Sequence, residues 1–138
     1  MRKARRATSA PLSVKLPPKR IREKFLIIYE LEGCQKAVNY LSKYYGVRRM
    51  KIFLNGRKVG KWCLGLYREN CAYFKKEGLT KRIVLHEFYH HLIKTGRYEL
   101  PITIEEREAE RFSREFVKIS KAETKKKTIF KKRKDKYN

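Results

Sequence analysis

The sequence predicts an α+β domain, on three observations. Apolar residues recur at helical spacing in the first and last thirds, the stretch between them switches to alternation cut by turn residues, and no βαβ repeat occurs. The expected architecture is an N-terminal helix, a three-stranded, mainly antiparallel sheet, and two closing helices. A length of 138 residues suits one domain, and 41% hydrophobic with 12% aromatic residues is enough to build a core. That composition excludes a wholly disordered basic chain.

Between Lys24 and Gly46, residues Leu26, Tyr29, Ala37, Val38, Leu41, Tyr44 and Tyr45 are spaced for a helix. Gly33 is expected to divide the segment and Gly46 to stop it, as glycine does at helix C-termini. Phe25 to Tyr29 taken alone also reads as a compact strand. Met50 to Leu54 reads as a strand, Asn55-Gly56 as a hairpin turn, and Trp62 to Tyr67 as a second strand with Trp62, Leu64 and Leu66 on one face. Arg68-Glu69-Asn70 is a polar turn, and Cys71 to Lys75 a third strand that Glu77-Gly78 ends. Thr80 should cap a helix running to about Thr95, with Gly96 as its stop. After Pro101, Thr103 should cap the last helix, Ile104 to about Ile119, with Ala109, Phe112, Phe116 and Ile119 as its apolar stripe.

The formal net charge of +23 is unevenly spread. Residues 1–24 carry nine Lys/Arg against Glu23, and residues 118–138 carry ten against Glu123 and Asp135, so each end is +8 and the middle only +7. Three prolines, Pro11, Pro17 and Pro18, mark 1–24 as an extended basic arm, and the self-repelling lysine runs mark 120–138 as a basic tail, leaving 25–119 as the domain. Phe130 and Tyr137 in the tail could stack on bases. The expected partner of these ends is DNA or RNA, held through its phosphates by counterion release without sequence specificity.

No run approaches the ~20 apolar residues of a membrane span, and Phe25 to Tyr29 is too short for a signal-peptide core. Three cysteines, Cys34, Cys63 and Cys71, with no C-x-x-C, argue for reduced thiols in a cytoplasmic protein, the nucleoid being one location the charge allows. Cys63 and Cys71 are expected to be small buried hydrophobes.

The helix after Thr80 contains His86-Glu87-Phe88-Tyr89-His90, a match to H-E-x-x-H, and all three histidines of the chain fall between positions 86 and 91. Residues i and i+4 share a helix face, so His86 and His90 can hold one Zn²⁺. Zinc lowers the pKa of a water to about 7 and polarises a carbonyl, and Glu87 follows the first ligand where a carboxylate can take the water's proton. Surrounding Ile83, Val84, Leu85, Phe88, Leu92 and Ile93 predict a buried helix, in which unpartnered His and Glu would be costly. His91 points about 100° away from His90 and cannot share the ion.

A third ligand must be a glutamate, because no other histidine exists and the sole aspartate is Asp135. The last helix offers Glu105, Glu106, Glu108 and Glu110. Glu106 shares a face with Ala109 and Ser113 and is the first choice; Glu105 is the second, and Glu108 and Glu110 are expected to face solvent or pair with Arg111 and Arg114. A capping box, Thr103-x-x-Glu106, competes for the same carboxylate.

H-E-x-x-H followed by Glu106-Arg107-Glu108-Ala109-Glu110-Arg111-Phe112-Ser113, of the form E-x-x-A-x-x-F-S, resembles the small gluzincin metallopeptidases of the ImmA/IrrE type over residues 34–117. The resemblance implies a minimal zincin-like fold in which His86, His90 and Glu106 hold zinc and Glu87 is the base. It also implies a link to DNA-bound repressor proteins. The expected activity is zinc-dependent hydrolysis of a protein or peptide substrate associated with nucleic acid, with Cys71 to Lys75 as the sheet edge that pairs the substrate and Tyr98, Arg97 or His91 as oxyanion stabiliser. The alternative is a non-catalytic nucleic-acid-binding protein that keeps a structural zinc.

Overall fold

A computed structural model describes residues 12–118. Residues 1–11 and 119–138, which take in the first part of the expected arm and all of the expected tail, lie outside the described residues, and with them Ile119, Phe130 and Tyr137. In chain order the elements are α1 (Lys19–Glu32), α2 (Cys34–Tyr45), β1 (Lys51–Leu54), a one-turn α3 (Gly56–Val59), β2 (Gly65–Arg68), β3 (Cys71–Phe74), a 3-10 turn (Lys76–Gly78), α4 (Lys81–Thr95) and α5 (Ile102–Phe116). This is an α+β arrangement, and no helix among the described residues is long and apolar enough to cross a membrane.

The folded unit begins earlier than residue 25. Pro18 supplies the carbonyl that accepts from the N–H groups of Ile21 and Arg22, so α1 starts inside the stretch expected to be an arm. Val14 and Pro17 are buried, the Val14 N–H donates to the Tyr89 hydroxyl at 3.3 Å, and the Tyr45 hydroxyl donates to the Lys15 carbonyl at 2.6 Å. Residues 12–24 therefore belong to the packed domain. Phe25 lies on α1, not on a strand, with its ring 5.1 Å from that of Phe116.

Gly33 divides the N-terminal helices as the sequence predicts. Its φ of +100° is open to glycine and costly for other residues, and its carbonyl accepts the Ala37 N–H that opens α2. At the far end Gly46 is left-handed (φ +70°), and the bonds Gly46 N–H to Lys43 O and Val47 N–H to Ser42 O close α2 as a Schellman motif.

The sheet departs from expectation. Its order is β1-β3-β2, with β1 parallel and β2 antiparallel to β3, so it is mixed rather than mainly antiparallel. Asn55-Gly56 makes no hairpin. The Asn55 side chain instead accepts from the Lys58 N–H and caps α3, whose Val59 is buried, and the chain passes to the far side of β3 before β2 begins. The strand expected from Trp62 starts only at Gly65, and Trp62 is 91% exposed. Most consequential, Cys71–Phe74 is the central strand; the edges are β1 and β2.

Helix α4 is buried along most of its length, by Val84, Leu85, Phe88, Tyr89, Leu92 and Ile93. Helix α5 packs on it through Ala109, Phe112 and Phe116, the Tyr89 and Phe112 rings lying 4.9 Å apart. Between sheet and α4 the chain turns through Gly78, where an added Cβ would lie 2.2 Å from the Leu64 carbonyl oxygen. Gly78→Ala should therefore destabilise by about 1–3 kcal/mol through overpacking. Gly56→Ala, whose Cβ would sit 3.5 Å from the flexible Lys75 side chain, should change stability much less. Urea unfolding of the two variants checks this ranking.

Candidate metal centre

Thr80 caps α4 as expected, its hydroxyl accepting from the Ile83 N–H. The cap sets His86 and His90 on one face, with ring centroids 5.1 Å apart. Opposite them stands the first turn of α5. That helix begins directly after Pro101, whose carbonyl accepts from the Ile104 and Glu105 N–H groups, and Thr103 makes no cap. The capping box is thus not formed, and the Glu106 carboxylate is left to reach α4. Its two oxygens lie 3.0 Å from His86 Nε2 and 2.9 Å from His90 Nε2. One ligand atom from each of His86, His90 and Glu106 can be chosen with all three within 4.8 Å of one another.

The other ring nitrogens decide what this arrangement can accept. His90 Nδ1 lies 2.6 Å from the Glu105 carboxylate, and His86 Nδ1 lies 3.1 Å from that of Glu110, which Arg82 also donates to at 2.8 Å. A neutral imidazole has one N–H, and with it on Nδ1 each ring donates to its own carboxylate, Glu105 or Glu110. Both Nε2 atoms then present lone pairs beside the Glu106 carboxylate, a set that a cation can bridge; with both nitrogens protonated the rings donate to Glu106 instead. A metal ion satisfies all three at once, and histidine ligands backed by carboxylates are the usual outer shell of such sites. The donor set fits a divalent ion.

Glu105 and Glu110 thus occupy roles the sequence reading missed. Glu105, the second choice as ligand, instead backs His90. Glu110, expected to face solvent, backs His86, and Glu108 receives the Tyr89 hydroxyl at 2.8 Å and the Ser13 hydroxyl at 3.2 Å. The signal available in the sequence was the density of four glutamates in six residues of one helix, but their spacing alone does not say which carboxylate reaches which nitrogen.

Glu87 faces β2. Lys75 N–H donates to the Leu64 carbonyl, so by alternation of the antiparallel ladder Leu64 and Leu66 bond inward to β3 while Gly65 and Tyr67 turn their backbone groups outward. The Tyr67 N–H supports the Glu87 carboxylate. Burial pushes the Glu87 carboxyl up to about 7, the Glu106 charge adds to the rise, and His86 and the Tyr67 bond oppose it. The close approach depends on Gly65, where a Cβ would lie 3.0 Å from the Phe74 ring and 3.3 Å from Glu87 Cγ.

His91 is fully buried, with Nε2 at 2.6 Å from the Arg48 carbonyl and Nδ1 at 2.9 Å from the Tyr67 hydroxyl. Burial lowers its pKa and keeps it neutral. It ties α4 to β2 and to the loop after α2 and does not line the cleft that holds Glu87, so it is not placed as an oxyanion stabiliser. Arg97 and Tyr98 do not line the cleft that holds Glu87. Cys63 is exposed beside that cleft, contrary to the expected burial. No family model, curated protein or solved structure matches this chain.

Glu105→Gln keeps the shape of the side chain but removes the charge that orders His90, and should weaken metal affinity roughly 10–100-fold. Glu108→Gln, outside the cluster, should leave affinity within about twofold of the parent. Competition against a metallochromic chelator compares the two.

Proposed function

We propose that the chain is a zinc-dependent peptidase of the gluzincin type, acting on protein substrates associated with nucleic acid. The observation that carries this reading is the convergence of two imidazole Nε2 atoms and the Glu106 carboxylate beside a buried carboxylate, Glu87, that ligates nothing. His86, His90 and Glu106 would hold the ion. Zinc bound there supplies a Lewis acid that acidifies a water and polarises the scissile carbonyl.

The rest of the chemistry falls to the chain. Glu87, held by Tyr67 and shielded from solvent, accepts the proton of the attacking water and returns it to the leaving amine. The outward N–H and carbonyl of Gly65 and the outward carbonyl of Tyr67, whose N–H is engaged by Glu87, offer an extended peptide a strand edge to pair with, immediately beside Glu87. This assigns substrate pairing to β2 in place of the central strand. A structural ion tying α4 to α5 would give Glu87 no task, and a buried carboxylate kept without one is a cost. Association with nucleic acid rests on the +8 ends of the sequence.

Purified protein should carry roughly one zinc per chain, and a chelator should abolish hydrolysis reversibly. Glu87→Gln should retain the zinc and lose about 10²–10⁴-fold in kcat, the usual worth of a general base. Hydrolysis at the parent rate in this variant would remove the mechanism. Deleting 1–11 and 119–138 should weaken DNA binding and flatten its salt dependence, read by filter binding across a salt series.

A further inference from the structure

The cleft of about 640 Å³ that contains Glu87 and the three proposed ligands is not uniform along its length. At one end Trp62, Leu64 and Ile102 stand 91%, 43% and 76% exposed, an apolar rim. At the other end the cleft meets a second cavity of about 700 Å³. The two share Tyr67 and Lys94. Lys94 lies one turn beyond His90 on α4, continuing the face that carries His86 and His90.

The second cavity gathers Arg48, Arg68, Lys94 and Arg97 against a single acid, Glu69. None of the four cations forms an ion pair among the described residues, whereas Arg82 pairs with Glu110 and Lys36 with Glu32. Four like charges around one concavity repel each other, and an anion relieves the repulsion. The cavity also lies on the line of the proposed substrate. Strand β2 leads from Gly65, against Glu87, to Arg68 at the cavity's edge, three residues or roughly 10 Å at the usual strand rise. A peptide paired to β2 across the reacting centre runs into the basic pocket at one end and over the Trp62 rim at the other.

We propose that this pocket is a specificity site for acidic side chains: the substrate is an extended peptide with Asp or Glu about three residues from the scissile bond on one side and apolar residues on the other. The assignment rests on the peptidase reading above. It favours a peptide carboxylate over a nucleic-acid phosphate because the pocket continues the strand and the helix face that build the reacting centre.

The test uses full-length, zinc-loaded protein and a proteome-derived peptide pool, with cleavage sites mapped by mass spectrometry. Cleaved sequences should be enriched in Asp or Glu at one fixed position two to four residues from the cut. In a matched peptide pair, replacing that Asp by Asn should lower kcat/KM about tenfold, the worth of one charge-assisted contact. The ratio should shrink as salt is raised. Arg68→Glu combined with Arg97→Glu should bring the ratio to about one or invert it toward lysine-containing peptides. Fluorescence anisotropy with Glu87→Gln protein gives a readout free of turnover, in which the Asp peptide should bind more tightly than the Asn peptide. Cleavage that depends on Glu87 but shows no acidic bias overturns the assignment and leaves the peptidase standing. An acidic bias that survives the double reversal overturns it too, since the basic ends would then be its source. If the double reversal weakens binding of a single-stranded oligonucleotide and leaves peptide selectivity intact, the pocket belongs to phosphate and the proposal fails. No Glu87-dependent cleavage of any peptide removes both readings.

Discussion

Three lone-pair donors facing one another are the constraint on which the site depends. His86 Nε2 and His90 Nε2 each lie about 3 Å from the Glu106 carboxylate, with their other nitrogens engaged by Glu110 and Glu105. A cation held by all three would cross-link α4 to α5. Glu105, Glu106 and Glu110 gather three carboxylates around one pair of histidines, in a chain whose net charge is +23, and clustered carboxylates favour a small cation there.

Packing makes this geometry possible. The buried Ala109 and Ser113 keep the α5 face small where it meets α4, and Phe112 and Phe116 fill the interface further along. One helix then delivers three carboxylates to one pair of histidines. The second approach, of β2 to α4, is set by glycines: Gly65 leaves room for Glu87, and Gly78 lets the chain pass against the Leu64 carbonyl. The buried His91 fastens the same strand from behind through the Tyr67 hydroxyl. Glu87, the candidate ligands and the edge strand are thus held by a few close contacts in a small domain.

The charge pattern acquires a different meaning once the fold is known. From the sequence, the basic ends dominate, and they point to polyanions in general. In three dimensions, four cations from separate places in the chain, Arg48, Arg68, Lys94 and Arg97, line one cavity that shares Tyr67 and Lys94 with the cleft. On the reading proposed here, the ends govern where the protein goes and the cavity governs what lies in the cleft.

The sequence by itself determined the presence of the longer helices and the candidate ligands. Glycine and threonine punctuation acts within a few residues, so Gly33, Gly46 and Thr80 marked helix ends that the structure keeps. The i, i+4 spacing of His86 and His90 is a property of one helix, and the scarcity of His and Asp left glutamate as the remaining ligand type. Tertiary structure decided what depends on separated segments meeting. Strand order is such a case: Asn55-Gly56 is compatible with a hairpin and with a capped helical turn, and the second forms, with Val59 buried and β3 at the centre of the sheet in place of its edge. The roles of Glu105, Glu106 and Glu110 are another, since neighbouring carboxylates on a helix are chemically alike until a partner helix presents particular nitrogens to each.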